Sequence, residues 1–528
     1  MLHFVRRWRL SSRKPLVCAG RMLLLPAAAL AFSACTSQPR INQTVMPVEA
    51  ARRTLAFGFQ QLSDRYVEYL PVGELAYEGI RGLDVIDPDF VAVREGSTVW
   101  FGIGDPHSHS LTAPDDADAD GWAALAVEAV RLSQADSADI AEAPVERIYE
   151  AVFDGSLSLL DTYSHYAGAK EATRNREKRA GFGGIGAIAQ DAPGGVSVVR
   201  ILADSPADRA GLSEGDLITH VDHKPVGHLT NPTDVARGPI GSSVLLRVEK
   251  TSGAVVELDV RRQRVIAPTV EMSVENDIII AKITGFNRGT TREVSNGIND
   301  AIARLGGRAR GIVLDLRGNP GGLLSEAVRV ADLFVSSGRI LRTNGRHPAS
   351  VQDFEAREDD IAPGLPIAVL VNGGSASASE IVAAALQDHD RAIVIGSSSY
   401  GKGTVQMVIT LPNEGELTVT WSQFITPAGY VLNGLGVHPS ICTNLANANA
   451  EQLIRKTLDS GSELTHVLDV WRGIDHHPET DRKGLKALCP ATDAMGDMDD
   501  EVAEAVIVDL GLYQRILAFA PTMVAAHK

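Results

Sequence analysis

The sequence predicts a multi-domain α/β protein: a layered α/β core, a small, mostly β module before it, and helical sections at both ends. A chain of 528 residues has room for three or four domains of about 150 residues each. Between 266 and 442, strand-like runs alternate with helical runs, which is typical of α/β layers. These strand-like runs are apolar nearly throughout, as strands covered on both faces are.

Composition and charge exclude several classes of protein. The chain is 44% hydrophobic and 22% charged, which is near the average for soluble domains and unlike fibrous or disordered chains. Asp and Glu outnumber Lys and Arg by 66 to 50, giving a formal charge of -16. Nucleic-acid binding depends on neutralising phosphates, so we expect no nucleic-acid partner.

Residues 1–35 predict an export signal that ends in a lipobox. Basic residues without any acid precede the apolar run Met22 to Phe32, which is too short to span a bilayer but suits a secretory signal. The run ends in FSAC, which resembles the lipobox of bacterial lipoproteins, where the cysteine (here Cys35) is lipidated, although Phe32 replaces the usual leucine. Ordinary cleavage near Ala34 is the alternative. We expect the mature protein on the periplasmic side of the bacterial cell envelope, tethered to the membrane by a lipid on Cys35.

Cysteine usage agrees with export. Apart from Cys18 in the leader and Cys35, the chain has only Cys442 and Cys489, and these lack the CxxC spacing of a metal site. In an oxidising compartment they predict one disulfide. Two buried free thiols are the alternative.

Three sections surround the core. Residues 43–170 are helical and polar, with an acidic loop, PDDADADG, whose calcium-loop spacing fails because Val127 stands where a bidentate Glu belongs. Residues 179–264 carry short strand-like runs separated by turns, which predict a mostly β module. Residues 443–528 return to charged helical sequence.

Two glycine-rich loops resemble nucleotide sites but fail on inspection. GSSSYGKGT has Gly403 where a phosphate-binding loop needs Ser or Thr to hold magnesium. GIGAIA follows no strand and opens no helix, as a dinucleotide fingerprint would. The sequence therefore predicts no nucleotide cofactor.

A serine nucleophile is predicted after the strand-like run 366–372. The strand ends in two glycines, and the small residues SASAS lead directly into a helix. A serine in such a turn projects into the crevice at the carboxyl ends of the strands, beside the positive end of the helix dipole. The alternative is that Ser375, Ser377 and Ser379 are only helix caps and packing residues.

The nucleophile needs a base, and two candidates remain after one is excluded. His389 lies on the same helix as Ser377, about 18 Å further along, and cannot reach it. His438 lies in a turn-rich segment and is not excluded. Lys402 lies between two glycines in an uncharged neighbourhood, where burial would favour the neutral amine that a base requires. A lysine in an ordinary glycine turn is the alternative for that residue.

Several motifs, in order along the chain, resemble those of the carboxyl-terminal processing (tail-specific) peptidases. These motifs are DLRGNPGG at 315–322, SASASE, GKGTVQ, TPAG at 426–429 and GVHP. The family comprises serine peptidases of the bacterial envelope and of chloroplasts, with a PDZ domain ahead of the protease core. The resemblance spans 181–439; the first helical section is similar to the family's N-terminal cap, and the last section resembles nothing that we recognise.

The resemblance implies the roles of the site residues. Ser377 would be the nucleophile, Lys402 the general base, and Gln406 would orient the lysine from the same face of a strand. The N–H groups of Ala378 and Gly318 would form the oxyanion hole. The mechanism needs neither a cofactor nor a metal ion.

The β module resembles a PDZ domain at GFGGIGA. There the amides of Ile185, Gly186 and Ala187 would capture the C-terminal carboxylate of a protein or peptide substrate. Arg237 matches a position that couples module and active site in some relatives. The alternatives are a catalytically silent PDZ adaptor of the cell envelope and a hydrolase of small esters or amides. The sequence leaves homo-oligomer formation open.

Overall fold

The computed structural model describes residues 46–226, 232–444, 448–474 and 481–519. The predicted export signal and Cys35 lie outside the described residues. Among the helices in these ranges, none combines the length and the apolar character needed to cross a membrane.

The first section packs helices around large buried side chains, among them Trp122, Phe59 and Phe153. It also contains an antiparallel three-stranded sheet with the order β1-β2-β3, where the sequence predicted mainly helix. The strands are short, and the exposed positions of β1 include Val91 and Val93, so apolar and polar residues do not alternate along it and its sequence signal is weak. The elements are α1 (Val48–Arg65), α2 (Val72–Arg81), β1 (Phe90–Glu95), β2 (Thr98–Ile103), β3 (His109–Thr112), α3 (Ala119–Asp136), α4 (Ala138–Glu142) and α5 (Val145–Leu157).

A short strand, β4 (His165–Ala167), and a polar helix, α6 (Ala169–Ala180), connect this section to the β module. Of the α6 side chains only Ala172 is buried. The helix is instead held by ion pairs: Arg176 and Arg179 both contact the buried carboxylate of Glu416 in the core. The predicted first section ends at 170 and the predicted β module begins at 179, so most of α6 belongs to neither. A helix without an apolar face lacks the hydrophobic periodicity by which a sequence predicts a helix.

The β module is an antiparallel sheet with the order β11-β10-β8-β7-β6, and β9 pairs with β8. A separate pair, β5 with β12, closes the module where the chain enters and leaves it. The elements are β5 (Phe182–Gly184), β6 (Ala187–Ala192), β7 (Gly195–Ile201), α7 (Pro206–Arg209), β8 (Leu217–Val221), β9 (Lys224–Pro225), β10 (Ser243–Glu249), β11 (Val255–Arg261) and β12 (Gln263–Val265).

The core is built on a six-stranded sheet with the order β13-β14-β15-β18-β19-β22. Every neighbouring pair is parallel except the antiparallel edge pair β13 with β14. The predicted α/β alternation is confirmed. The elements are β13 (Val270–Glu275), β14 (Ile278–Ile283), α8 (Thr290–Leu305), β15 (Gly311–Asp315), α9 (Leu324–Asp332), β18 (Ile367–Val371), α10 (Ala378–Asp388), β19 (Ile393–Gly396) and β22 (Ile441–Cys442).

A second, antiparallel sheet stands beside the first, with the order β17-β16-β21-β20. Strand β4 of the first section pairs with β21, so that section is joined to the core by backbone hydrogen bonds. The strands are β16 (Arg339–Asn344), β17 (Gln352–Glu355), β20 (Thr404–Thr410) and β21 (Glu416–Ile425).

The last section covers the second face of the parallel sheet. Along β18, Val369 and Val371 face the cluster that includes α8, α9 and α10, whereas Ala368 and Leu370 face the cluster formed with α11, α14 and α15. Both faces are therefore buried, which explains why the strands are apolar throughout. The helices are α11 (Ala450–Asp459), α12 (Gly461–Arg472), α13 (Arg482–Lys486), α14 (Asp497–Val508) and α15 (Leu510–Leu517).

A disulfide fastens this last section to the sheet. Cys442, at the end of the edge strand β22, is bonded to the buried Cys489, the pair proposed from the sequence. After Cys489 the chain runs past the carboxyl ends of the strands: the carbonyl oxygen of Thr492 accepts from the N–H of Gly373, and that of Asp493 accepts from Asn372. We call residues 489–500 the C-terminal strap.

Removing the disulfide should loosen the strap and the helices that follow it. In the double variant Cys442→Ser with Cys489→Ser, we expect the folding of the last section to weaken by about 2–4 kcal/mol, because its unfolded state is no longer cross-linked. The expected result is a lower unfolding temperature and earlier proteolytic cleavage after residue 443. Identical cleavage kinetics in the variant and the oxidised parent would contradict this.

Candidate active site

Ser377 lies at the turn between β18 and α10, as predicted from the sequence. It immediately precedes the first residue of the helix and has a φ of +56°, which is strained for a residue other than glycine. Close packing holds it there: a Cβ on Gly321 would lie 2.9 Å from the Cβ of Ser377. Strain of this kind is found at sites where a side chain must be presented in one direction.

The neighbouring serines are used for structure. The hydroxyl of Ser375 donates to the carbonyl oxygen of Leu316 at 2.8 Å, and that of Ser379 donates to the carbonyl oxygen of Asn319 at 2.8 Å. Both serines are fully buried. Ser375 and Ser379 therefore fit the packing part of the alternative, whereas Ser377 is the N-cap residue of α10 and also the serine of the SASAS motif that lines a cavity.

This cavity, of 570 Å³, lies between the parallel sheet and the second sheet. Most of its wall is apolar and comes from Leu323, Leu324, Phe354, Ile381, Trp421 and Phe424, with Ser377 and Ala378 at one side. Gln406 also lines it. The arrangement offers a largely apolar pocket with half-buried Ser377 on its wall.

Lys402 occupies a tight loop before β20, held there by glycines. Gly401 has a φ of +94°, and a Cβ on Gly403 would overlap the backbone of Asn433. Only glycine fits these two positions. The loop therefore brings the backbone of Lys402 close to the helix that Ser377 precedes.

Glu380 joins the two loops, and sequence reasoning missed it. One carboxylate oxygen accepts from the N–H groups of Ser377 and Lys402, at 2.8 and 2.9 Å. The other accepts from the N–H of Gly401 at 2.6 Å and from the hydroxyl of Ser399 at 2.5 Å. The S-x-x-E spacing of a capping box in SASASE is the signal that could have identified it.

The charge of Glu380 is set by opposing effects. Complete burial raises the pKa of this carboxyl, and its four hydrogen-bond donors oppose that rise only in part. Because all four partners donate, the site fits an ionised carboxylate, which only accepts. We therefore assign Glu380 as an ion that fixes the relative position of the two loops.

The pKa of Lys402 is lowered, chiefly because burial disfavours the charged ammonium. The negative charges of Asp161 and Glu380 oppose this effect and raise the pKa. The net direction is the one that a general base requires at moderately alkaline pH.

Gln406 lies on β20, but its described contacts are with threonines. Its amide group donates to the hydroxyl of Thr404 at 2.8 Å and to that of Thr420 at 3.2 Å. The expectation that Gln406 and Lys402 share a strand face does not apply, because the strand begins at Thr404 and its register shifts between Val405 and Gln406. That Gln406 orients the lysine stays a prediction.

The two predicted oxyanion donors are placed differently. Among the described contacts, the N–H of Ala378 has no protein acceptor, and Ala378 lines the cavity beside Ser377. The N–H of Gly318 donates to Asn372 at 2.8 Å, so it would have to leave that partner to bind an oxyanion. Gly322 also lines the cavity, and we find no acceptor for its N–H in the described part of the chain.

His438, the other candidate base, is enclosed elsewhere. One of its ring nitrogens lies 2.9 Å from the carbonyl oxygen of Pro439, and the ring packs edge-on against Trp471. Burial lowers the pKa of His438 to about 4. No described contact connects it with Ser377.

The predicted carboxylate loop lines a second cavity, of 300 Å³, in the β module. Ile185, Gly186 and Ala187 form part of its wall, together with Phe182 and Leu202. The carbonyl oxygens of Ile185 and Gly186 accept from Ala207 and Leu202, and their N–H groups have no acceptor among the described residues. The loop therefore presents free donors beside an apolar groove.

Arg237 lies at the rim of this groove. Its guanidinium stacks on the ring of Phe182, 3.7 Å from the ring centroid, and pairs with Glu177 of α6 at 2.7 Å. Through α6 the module is connected to Glu416 in the second sheet.

Comparisons with known proteins agree with this geometry. The model of peptidase family S41 matches residues 277–443, and the PDZ domain model matches residues 197–250. A carboxy-terminal-processing protease of Bartonella bacilliformis is 38% identical over 302 residues, which cover 56% of this chain and 69% of the relative. A probable CtpA-like serine protease of Staphylococcus epidermidis is 30% identical over 376 residues, covering 69% and 72%. The carboxy-terminal processing protease CtpA of Bacillus subtilis is 32% identical over 330 residues, covering 61% and 70%.

Fold, site and relatives together define a serine peptidase with an α/β core and a PDZ domain ahead of it. The chain belongs to peptidase family S41, in the group of the carboxy-terminal processing proteases. The matched PDZ range lies within the predicted module at 179–264, and the matched peptidase range ends where the last section begins.

Replacing Glu380 by glutamine should impair catalysis more than folding. In Glu380→Gln, an amide NH₂ group would replace one carboxylate oxygen, so either the pair Ser377 and Lys402 or the pair Ser399 and Gly401 would lose its acceptor and the two loops would be held less firmly. We expect kcat to fall about 10- to 100-fold with little change in KM, since alignment of the reacting groups is what suffers. Steady-state kinetics on a peptide substrate measures this.

Glu293→Gln is a matched control for that variant. Glu293 also accepts from two backbone N–H groups, those of Thr269 and Val270, but these belong to the edge of the sheet and not to the catalytic loops. Equal losses of kcat in the two variants would show that Glu380 has no special role in alignment.

Proposed function

We propose that this chain is an exported serine endopeptidase that binds protein substrates by their C-terminal tails and cleaves them by a Ser-Lys mechanism. The observation that carries the proposal is the arrangement of Ser377. It is strained, it lines an apolar cavity, and its backbone shares a carboxylate acceptor with Lys402. A catalytically silent PDZ adaptor is disfavoured because both reactive side chains are present.

In the first chemical step, the Ser377 hydroxyl oxygen attacks the carbonyl carbon of the scissile peptide bond. The hydroxyl proton passes to the neutral amine of Lys402, which becomes an ammonium. The carbonyl oxygen of the substrate becomes an oxyanion, stabilised by the N–H of Ala378 and by a second N–H. For that second donor the sequence motif suggests Gly318, whereas the free N–H of Gly322 on the cavity wall supports Gly322.

In the second step, the tetrahedral intermediate collapses and the carbon–nitrogen bond breaks. The Lys402 ammonium returns its proton to the leaving amine, and an acyl-enzyme remains on Ser377. A water molecule then attacks the ester while Lys402 accepts its proton, and as the acid product leaves, the Lys402 ammonium returns that proton to the Ser377 oxygen, which restores the serine and the neutral amine. No metal ion or cofactor takes part in these steps.

Tail recognition is assigned to the PDZ module. A substrate tail would add as a strand in the groove, with its carboxylate on the amides of Ile185, Gly186 and Ala187. The apolar wall of the 300 Å³ cavity would take the last side chain of the tail. We infer proteins and peptides with free C-termini as the substrate class.

Export and location rest on the leader alone. The basic start, the apolar run 22–32 and Cys35 in FSAC support secretion, with a lipid on Cys35 as tether and the periplasmic side of the bacterial envelope as location. Cleavage near Ala34 without lipid is the alternative for the anchor.

Ser377→Ala should abolish peptide hydrolysis. Without the hydroxyl no acyl-enzyme forms, so we expect kcat/KM to fall by at least about 10³-fold, while the unfolding temperature stays close to that of the parent. Lys402→Ala should give a comparable loss, because nucleophile and base act as a unit. Hydrolysis of a peptide substrate is the measurement.

Ser379→Ala serves as the matched control, because it removes a hydroxyl that only supports the carbonyl oxygen of Asn319. It should keep substantial activity in its folded fraction. An active Ser377→Ala enzyme beside an inactive Ser379→Ala enzyme would refute the assignment.

A peptide with a free C-terminal carboxylate should be cleaved better than its amidated twin. The amidated end loses charge-assisted hydrogen bonds to the loop, so we expect kcat/KM to be about 10- to 100-fold lower. The loss should appear in KM, since Ser377 and Lys402 are unchanged. Paired assays at sub-saturating concentration test this.

Two glycine variants test whether the PDZ module causes the preference for a free C-terminal carboxylate. A Cβ in Gly186→Ala would overlap Ser205 and distort the loop, so the preference for the carboxylate should disappear. Gly194→Ala has a comparably positive φ but open space around the new Cβ, and should keep the preference. If both variants still prefer the free carboxylate over the amide to the same degree, the C-terminal tail must be recognised by another surface.

A further inference from the structure

The ammonium group of Lys402 lies against an aromatic ring from the first section. Its Nζ is 4.8 Å from the centroid of the Tyr163 ring. Within the described part of the chain, Nζ makes no hydrogen bond with Ser377 or Gln406. In this conformation the predicted base is therefore engaged with Tyr163, and not with the nucleophile that it would deprotonate.

The turn that carries Tyr163 is anchored by hydrogen bonds. One carboxylate oxygen of Asp161 accepts from the N–H groups of Tyr163 and Ser164, at 3.1 and 3.0 Å, and from the hydroxyl of Ser164 at 2.9 Å. The Ser164 oxygen accepts in turn from the N–H of Thr420 in β21 at 3.1 Å. Tyr163 is thus fixed to the same strand pair that carries Gln406.

The ring distinguishes the two protonation states of the lysine. The face of an aromatic ring attracts an ammonium through its quadrupole, and this attraction is strongest where water is excluded. A neutral amine has no net charge and gains little from the same face. The contact therefore favours protonated Lys402 in its present position, and it weakens when the proton leaves.

We propose that Tyr163 is a positioning residue for the general base: its ring holds the protonated Lys402 in a resting position away from Ser377. The ammonium gives its proton to solvent base, and the freed amine then turns to accept the proton of the Ser377 hydroxyl. The inference rests on the proposed function, in which Lys402 is that base. It assigns to the first section, some 240 residues earlier in the chain, a part in the catalytic cycle.

Charged and titratable groups surround Lys402 from several elements. Burial together with the neighbouring Tyr400 raises the pKa of Tyr163 to about 12, so the phenol stays neutral over the useful assay range. The amine of Lys486 lies near, donating to the carbonyl oxygen of Tyr400 at 2.7 Å. The titratable groups around Lys402 include Asp161, Tyr163, Glu380, Tyr400 and Lys486.

The test is the pH profile of kcat/KM for the full chain, with a peptide that has a free C-terminus. Activity should rise with pH as Lys402 loses its proton. Tyr163→Leu keeps the side chain apolar but removes the π face, so the rising limb should move to lower pH by about half a unit to one unit. Tyr163→Phe keeps the face, and its limb should coincide with that of the parent.

A matched control comes from another ring over a cation. The exposed ring of Tyr69 covers the guanidinium of Arg346, 5.6 Å from the ring centroid, so Tyr69→Leu removes the same kind of contact away from Lys402. Its limb should not move. If Tyr163→Leu does not fold, Tyr163→Met provides the same test with a more adaptable side chain.

Two results would overturn the proposal. If the rising limb of the pH profile is unchanged in Tyr163→Leu and only kcat is lower, Tyr163 has a structural role. A limb moved to higher pH would mean that the ring acts by excluding water from the lysine. Failure of the proposed function looks different: Lys402→Ala would then keep both the activity and the limb, whatever residue occupies position 163.

Discussion

A single buried carboxylate holds the catalytic geometry together. Glu380 lies in the first turn of α10 and accepts from four donors: the N–H of Ser377 in its own motif, and the hydroxyl of Ser399 with the N–H groups of Gly401 and Lys402 in the opposite loop. Hydrogen bonds to a charged group are the stronger ones, and a buried charge left without partners is costly. The positions of the two loops are therefore coupled: neither can move without leaving a buried ion unpaired. The strained backbone of Ser377 persists because this arrangement fixes the turn around it.

The same crevice is supported from outside by the last section of the chain. Asn372, at the end of β18, accepts from the N–H groups of Gly318 and Gly374 and donates to the carbonyl oxygen of Asp493 in the C-terminal strap. Arg317, in the DLRGNPGG motif, pairs with Asp499 and Asp500 at the start of α14. The strap thus contacts both loops that flank Ser377. The disulfide fastens the strap at its first residue, so the last section is part of the support of the active site, although the family match ends before it begins.

The sequence predicts the core well because its signals are local or periodic. Strands buried on both faces give apolar runs, and a serine turn between a strand and a helix is readable in SASAS. What the sequence does not contain is which distant segments meet. Nothing near Tyr163 indicates that its ring lies over Lys402, and nothing near Gly318 indicates that its N–H is taken by Asn372. The charged helical sequence predicted for the last section does not reveal that its final helix starts anew at Asp509, whose carboxylate caps α15. The expectation that Gln406 and Lys402 face the same side of a strand assumed a regular alternation of side chains, and the register shift between Val405 and Gln406 interrupts that alternation.

The connections of α6 differ in strength, and this determines how the PDZ module is attached to the core. Arg176 and Arg179 are about one third exposed but pair with Glu416, whose side chain is only 2% exposed, so removing them would leave a buried charge without its partners. Arg237 pairs with Glu177 where both side chains are about one third exposed, and such a pair contributes at most about 1 kcal/mol. Helix α6 is therefore firmly attached to the second sheet and weakly attached to the module. Of the ion pairs made by α6, the one with Arg237 is therefore the weaker, whereas those with Glu416 hold α6 against the strand pair that carries Gln406 and supports Tyr163 through Thr420.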